Sequence, residues 1–137
     1  MSTESGAGWS VGEVAARFGL AVSTLHWWEK CGLLAPERAS GRRVYREAEL
    51  RRIAVVQLLQ GTAGMALPEI AALLEGSTGD RDWRAVVRGR VARCEEQLDQ
   101  VRRARDYLTH LLECPSEHPV AQCPYLAADI DSRLPAP

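Results

Sequence analysis

Apolar side chains recur at helical spacing near the start of the chain: Val11, Val14, Ala15 and Phe18 share one face, with Ser10 ahead of them and Glu13 three residues later. The spacing predicts a short amphipathic helix opened by a capping box. Gly19-Leu20-Ala21 supplies a tight turn, and Val22 to Lys30 predicts a second helix stopped by Cys31-Gly32. Two short helices joined this closely make a helix-turn-helix. After Leu33-Leu34-Ala35-Pro36, two extended runs surround Ser40-Gly41, with Arg38 on the outward run and Arg42, Arg43, Val44 and Tyr45 on the return. A hairpin tip has no core to fill, so arginines placed there suit phosphate oxygens.

Helical periodicity resumes from Arg46 to Gln60 through Leu50, Ile53, Ala54, Val56 and Leu58, and Gly61-Thr62-Ala63-Gly64 ends it. Leu67 to Leu74 restarts a helix, with Pro68 tolerated in the first turn where its missing N–H is not needed. Gly76-Ser77-Thr78-Gly79-Asp80 reads as a linker. From Asp82 to Leu112 the apolar positions Val87, Val91, Cys94, Leu98, Val101, Leu108 and Leu112 alternate four- and three-residue steps, with Arg105 also on the seam. One such helix cannot bury its stripe against so small a head, so a partner helix is expected. Pro115, Pro119 and Pro124 then break the pattern, and Tyr125 to Leu134 predicts a last short helix. The fold class is therefore mainly α: a winged helix-turn-helix head over 9–75, a linker over 76–81, a dimerisation helix over 82–112, and a loop with a short helix over 113–134.

Composition changes this picture only locally. The formal net charge of -1 conceals the cluster Arg38, Arg42, Arg43, Arg46, Arg51 and Arg52, and it is the local field that a polyanion meets. No apolar run approaches the roughly 20 residues of a membrane span, and the first eight residues are too polar for a secretory signal. A cytoplasmic location is expected. Four scattered cysteines, Cys31, Cys94, Cys114 and Cys123, suit free thiols, ligands or redox sensors better than a disulfide framework.

The motifs Gly12-Glu13-Val14-Ala15, Gly19-Leu20, Thr24-Leu25, Glu29, Gly32-Leu33-Leu34, Gly41, Arg43 and Tyr45 stand in the order and spacing of the MerR family of transcription regulators, which the segment resembles. The likeness continues through Gly64-Met65-Ala66-Leu67-Pro68-Glu69-Ile70 to about Leu74. His26, the pair Trp27-Trp28, and Arg42 depart from the family's Arg, Tyr-Tyr and wing Tyr. The resemblance implies an antiparallel homodimer on double-stranded promoter DNA. It also implies a mechanism in which effector binding distorts an overlong promoter spacer and so realigns it for RNA polymerase. The candidate DNA-facing residues are Ser23, Thr24, His26, Trp27, Arg38, Arg42, Arg43 and Tyr45. Neighbouring helical residues diverge by about 100°, so Trp28 is expected in the core and Trp27 at the phosphate backbone.

His110, Cys114, His118 and Cys123 bring two thiols and two imidazoles to a helix end and the loop after it, a donor set suited to Zn²⁺ or another thiophilic divalent metal. Cys114, His118 and Cys123 are the principal candidates, with His110 and a partner's Asp80 or Asp82 as further ones. The Cys114-to-Cys123 spacing is similar to the metal loop of the mercury- and zinc-sensing branches, but the cysteine those branches carry at the start of the long helix is replaced by Thr78, Asp80, Asp82 and Trp83. Trp83 and the Cys-Pro-x-Leu ending resemble the superoxide-sensing branch, yet two loop cysteines cannot supply the four needed for an iron–sulfur cluster. Three effectors stay open: a metal ion, thiol oxidation, or a small organic molecule against Trp83. No cofactor is fixed by the sequence.

Plainer readings stand beside these. Cys31 and Cys94 read as small apolar fillers, His110 as a residue completing a helix dipole, and Arg88, Arg90, Arg93, Arg102 and Arg103 as a solvated helix face. No enzyme is expected of such a regulator, and no nucleophilic triad or Cys-x-x-Cys motif supports thiol chemistry as the main activity. The alternatives are a thiol-redox or metal-handling protein with a DNA-tethering head, and an architectural DNA binder without an effector.

Overall fold

The computed structural model describes residues 8–79 and 82–137. Asp80, one of the candidate partner ligands, lies outside the described residues. The chain divides into two compact units at Arg90 and Val91.

In the first unit, α1 (Val11–Phe18) opens with the capping box in place: Glu13 N donates to Ser10 Oγ at 3.2 Å, and Ser10 N donates to Glu13 Oε1 at 2.8 Å. It stops at Gly19, whose φ of 67° is left-handed backbone that favours glycine. Helix α2 (Val22–Lys30) follows directly. Strands β1 (Glu37–Ala39) and β2 (Arg42–Val44) pair antiparallel, with Glu37 opposite Val44, Arg38 opposite Arg43 and Ala39 opposite Arg42. Ser40 and Gly41, with φ of 53° and 78°, form the two-residue turn, the positive-φ pair that matches the twist of a hairpin. Helices α3 (Glu47–Gly61) and α4 (Leu67–Glu75) complete the head.

The core gathers Val14, Leu25, Leu33, Tyr45, Ile53, Val56 and Ile70, all essentially buried, with Trp28, Leu34 and Met65 beside them. All four helices of the head contribute, and Tyr45, just after β2, ties the base of the otherwise exposed hairpin to this core. Trp9 and Tyr45 form an isolated antiparallel bridge, exchanging two N–H···O bonds of 2.8 Å, and this seats the base of the hairpin. Polar ties reinforce the packing: Arg52 Nε donates to Leu33 O at 2.8 Å, and Gln57 Nε2 to Phe18 O at 2.9 Å.

Helix α5 (Trp83–Leu111) starts in the first unit and has no buried residue along its 29 positions. In the second unit its later turns are followed by α6 (Pro119–Gln122), which the sequence pattern did not predict, and α7 (Pro124–Asp131). Tyr107 and Tyr125 face each other with ring centroids 5.4 Å apart, and His110 lies 4.0 Å from the Tyr125 ring.

Candidate nucleic-acid interface and thiol pair

The α2 helix exposes one face and buries the other. Leu25 and Trp28 enter the core, Trp28 at 3% exposure, while Trp27 is 54% exposed and Ser23 is open to solvent. Thr24 and His26 are half-buried, and His26 Nε2 is turned inward without a hydrogen-bond partner among the described residues. His26 thus presents less of its imidazole to a groove than the sequence suggests. Trp27 also lines an apolar cavity of about 420 Å³ with Cys31, Leu67, Pro68 and Ala71. Cys31, expected as a filler, is exposed at the end of α2.

On the wing, Arg38 and Arg42 are exposed and Arg43 is half-buried. Arg43 Nε donates to Glu29 Oε1 of α2 at 2.7 Å, and the two side chains keep 28% and 27% exposure. At the wing base Arg46 Nε pairs with Glu37 Oε1 at 3.1 Å. Tyr45 corrects the sequence reading: it was expected at the DNA, yet it is fully buried. The reason is register. Tyr45 follows β2 and pairs with Trp9, which turns its ring into the core away from the arginine-bearing tip. Burial, with the nearby Glu29 carboxylate second, raises its phenol above the usual range, so it stays neutral.

In the second unit Cys114 and Cys123 come close enough for the Cys114 side chain to favour the Cys123 thiolate. The Leu126 N–H is the largest influence holding the Cys123 thiol below its ordinary value, with Cys114 and the Tyr125 N–H adding to it. No side chain forms a regular N-cap bond on α7. Cys123 is buried and Cys114 half-buried. His118 stands at the start of α6, its N–H donating to Ser116 Oγ at 3.0 Å, and His110 pairs loosely with Glu113 at 3.8 Å. Among the described residues of one protomer, no three His, Cys, Asp or Glu side chains gather as a metal site. The thiol pair therefore offers two ligands, and neither histidine joins it in such a group. Cys94 is exposed rather than packed as a filler within the single chain.

Trp83 lines a cavity of about 360 Å³ with Pro68, Glu69, Ala72, Asp82 and Val86. Arg84 covers one face of its ring at 4.6 Å. Asp82 is occupied in opening α5, accepting from Arg84 N at 3.0 Å.

A family model described as MerR HTH family regulatory protein matches residues 9–77, and a second, described as MerR, DNA binding, matches residues 50–111. The chain belongs to the MerR family. It is a DNA-binding regulator of transcription, and MerR regulators are dimers. The chain is 30% identical over 111 residues to an HTH-type transcriptional activator SoxR homolog of Chromobacterium violaceum, covering 77% of this chain and 74% of that protein. It is 31% identical over 105 residues to the nodulation protein NolA of a Bradyrhizobium strain, covering 75% of this chain but 43% of that one, so it spans less than half of that relative's length. Among solved structures it resembles the transcription regulator PbrR691 of Ralstonia metallidurans in complex with lead(II), with a TM-score of 0.66 and 26% identity, covering 86% and 96% of the two chains. Among the described residues no helix is long and apolar enough to cross a membrane.

Proposed function

We infer that this MerR-family regulator activates transcription by distorting promoter DNA when a signal is received at the Cys114–Cys123 thiol pair. The proximity of the two cysteines, one buried and one half-buried, carries the reading. Soft thiolates select thiophilic metals, and this pair supplies two ligands to such an ion. Zinc needs a fuller tetrahedral set, for which His118, His110 and a partner's Asp82 are the candidate donors. The likeness to a lead(II)-bound regulator supports a metal over an organic effector.

DNA recognition divides between α2 in the major groove, with Ser23 and Trp27 outermost and Thr24 and His26 half-buried beside them, and the wing arginines Arg38, Arg42 and Arg43 on phosphates. Bending or untwisting a site costs about 1–6 kcal/mol, and the loaded dimer offsets this through phosphate contacts. RNA polymerase then meets realigned promoter elements without needing a docking surface on the regulator.

The adjacency of the thiols also favours a second reading, in which a two-electron oxidant such as a peroxide takes two electrons and two protons from the thiols and joins Cys114 to Cys123 as a disulfide. Elemental analysis of protein purified without a metal-affinity tag, with thiols counted before and after chelator and after reductant, separates the two. Bound metal that chelator removes, freeing two thiols, supports metal sensing. Thiols recovered only by reductant support oxidation. Metal-free protein with every thiol reactive from the outset defeats both.

A further inference from the structure

Arg38 and Arg43 stand directly opposite each other across the wing. Like charges at such a position repel, and a two-stranded ribbon of three-residue strands has little stability of its own. The opposition is answered from outside the hairpin. Glu29, 14 residues earlier on α2, places its carboxylate 2.7 Å from Arg43 Nε. The bond uses the inner donor of the guanidinium. The two Nη groups make no other hydrogen bond among the described residues, and the side chain remains part-exposed. A guanidinium held by Nε is restrained in orientation while its outer fork keeps the geometry that a phosphate accepts.

The geometry points to Glu29 as a positioning residue for DNA binding: an acidic side chain that strengthens attachment to a polyanion by fixing the Arg43 fork and tying the wing to α2. The inference rests on the reading of Arg43 as a phosphate ligand. Its distinguishing consequence runs against simple charge counting. Removing an acid makes the surface more positive, which by itself strengthens DNA binding and steepens its salt dependence. A positioning role requires the opposite on both measures.

The test uses full-length protein and a fluorescein-labelled mixed-sequence duplex about three helical turns long, titrated at several salt concentrations by anisotropy. Glu29→Ala is expected to bind roughly tenfold more weakly than the parent, and Glu29→Gln, which retains the acceptor oxygen, roughly threefold. The slope of log affinity against log salt falls toward that of Arg43→Ala in the Glu29→Ala protein. In an Arg43→Ala background, Glu29→Ala produces no further loss, because nothing remains for it to orient. Equal melting temperatures for parent and Glu29→Gln guard against a folding defect. Unchanged or tighter binding in Glu29→Ala overturns the inference, as does a loss that persists undiminished in the Arg43→Ala background. If Arg43→Ala itself leaves affinity and salt slope intact, the reading of Arg43 as a phosphate ligand fails first.

Discussion

Tyr107 Oη donates to Asp129 Oδ2 across 2.6 Å, joining the late turns of α5 to α7 through residues 22 apart in sequence. The bond stands at the edge of a cavity of about 300 Å³ that Leu126, Ile130 and Arg133 also line. Because the carboxylate accepts the phenolic hydrogen, the Tyr107 pKa is pushed up from 10.0 to about 12, with loss of solvation the next cause. A raised pKa means that the folded unit favours the protonated phenol. The stabilisation is complete below about pH 10 and is lost as pH rises toward 12. Tyr107→Phe should remove this alkaline limb from the thermal unfolding profile, and an unchanged limb would assign it to other groups.

The acidic side has its own group. Glu13 is held below its usual 4.5, first by the Ser10 backbone N–H and then by the Ser10 side chain. A depressed carboxyl contributes stability that is present above its unfolded pKa and fades as pH falls through the folded one. Glu13→Ala should flatten the loss of melting temperature on acidification, and Ser10→Ala should weaken the same box by removing its hydroxyl. Circular dichroism melts from about pH 6 to about pH 3 read the difference.

Adjacent tryptophans should separate cleanly. Trp28 is almost wholly buried, so Trp28→Ala is expected to cost about 3–5 kcal/mol of stability. Trp27 stands exposed, and Trp27→Ala should change stability by no more than about 0.5 kcal/mol while weakening DNA binding. Denaturant titration beside a DNA anisotropy assay tests both halves. Equal stability losses would mean that the α2 face is assigned wrongly.

Cys114→Ser removes one of two paired sulfurs in the second unit and leaves the head untouched. DNA affinity should be preserved and transcriptional induction abolished. A reporter that still responds to the inducing condition in the Cys114→Ser strain would move the sensor elsewhere on the chain.

Much of the head was legible because its signals are local. Ser10 and Glu13 are three residues apart, Gly19 ends a helix at a left-handed turn, and Ser40-Gly41 closes a two-residue hairpin. The helix α5 was likewise written in one periodicity. What escaped depends on partners distant in sequence. Tyr45 follows the arginines of the return strand, and only its bridge to Trp9 shows that the ring turns inward. The tie between Glu29 and Arg43 crosses two elements, and no spacing rule connects them. Cys31 looked apolar by residue type, but a residue at a helix end takes its exposure from the packing around it. At the thiol loop the sequence named four N and S donors in one short stretch. It could not order them in space, where the two cysteines come close and the His110 imidazole packs on Tyr125 instead.

Helix α5 exposes Val91, Leu98, Val101 and Leu108 in the single chain. Its structure is thus borrowed from a second molecule, and its stability becomes a matter of mass action. The melting temperature should climb with the logarithm of protomer concentration. A cell holding few copies would then have less protein folded along this helix as well as less protein able to span two half-sites. The number of molecules present is accordingly itself a setting of the regulator, acting through folding alone.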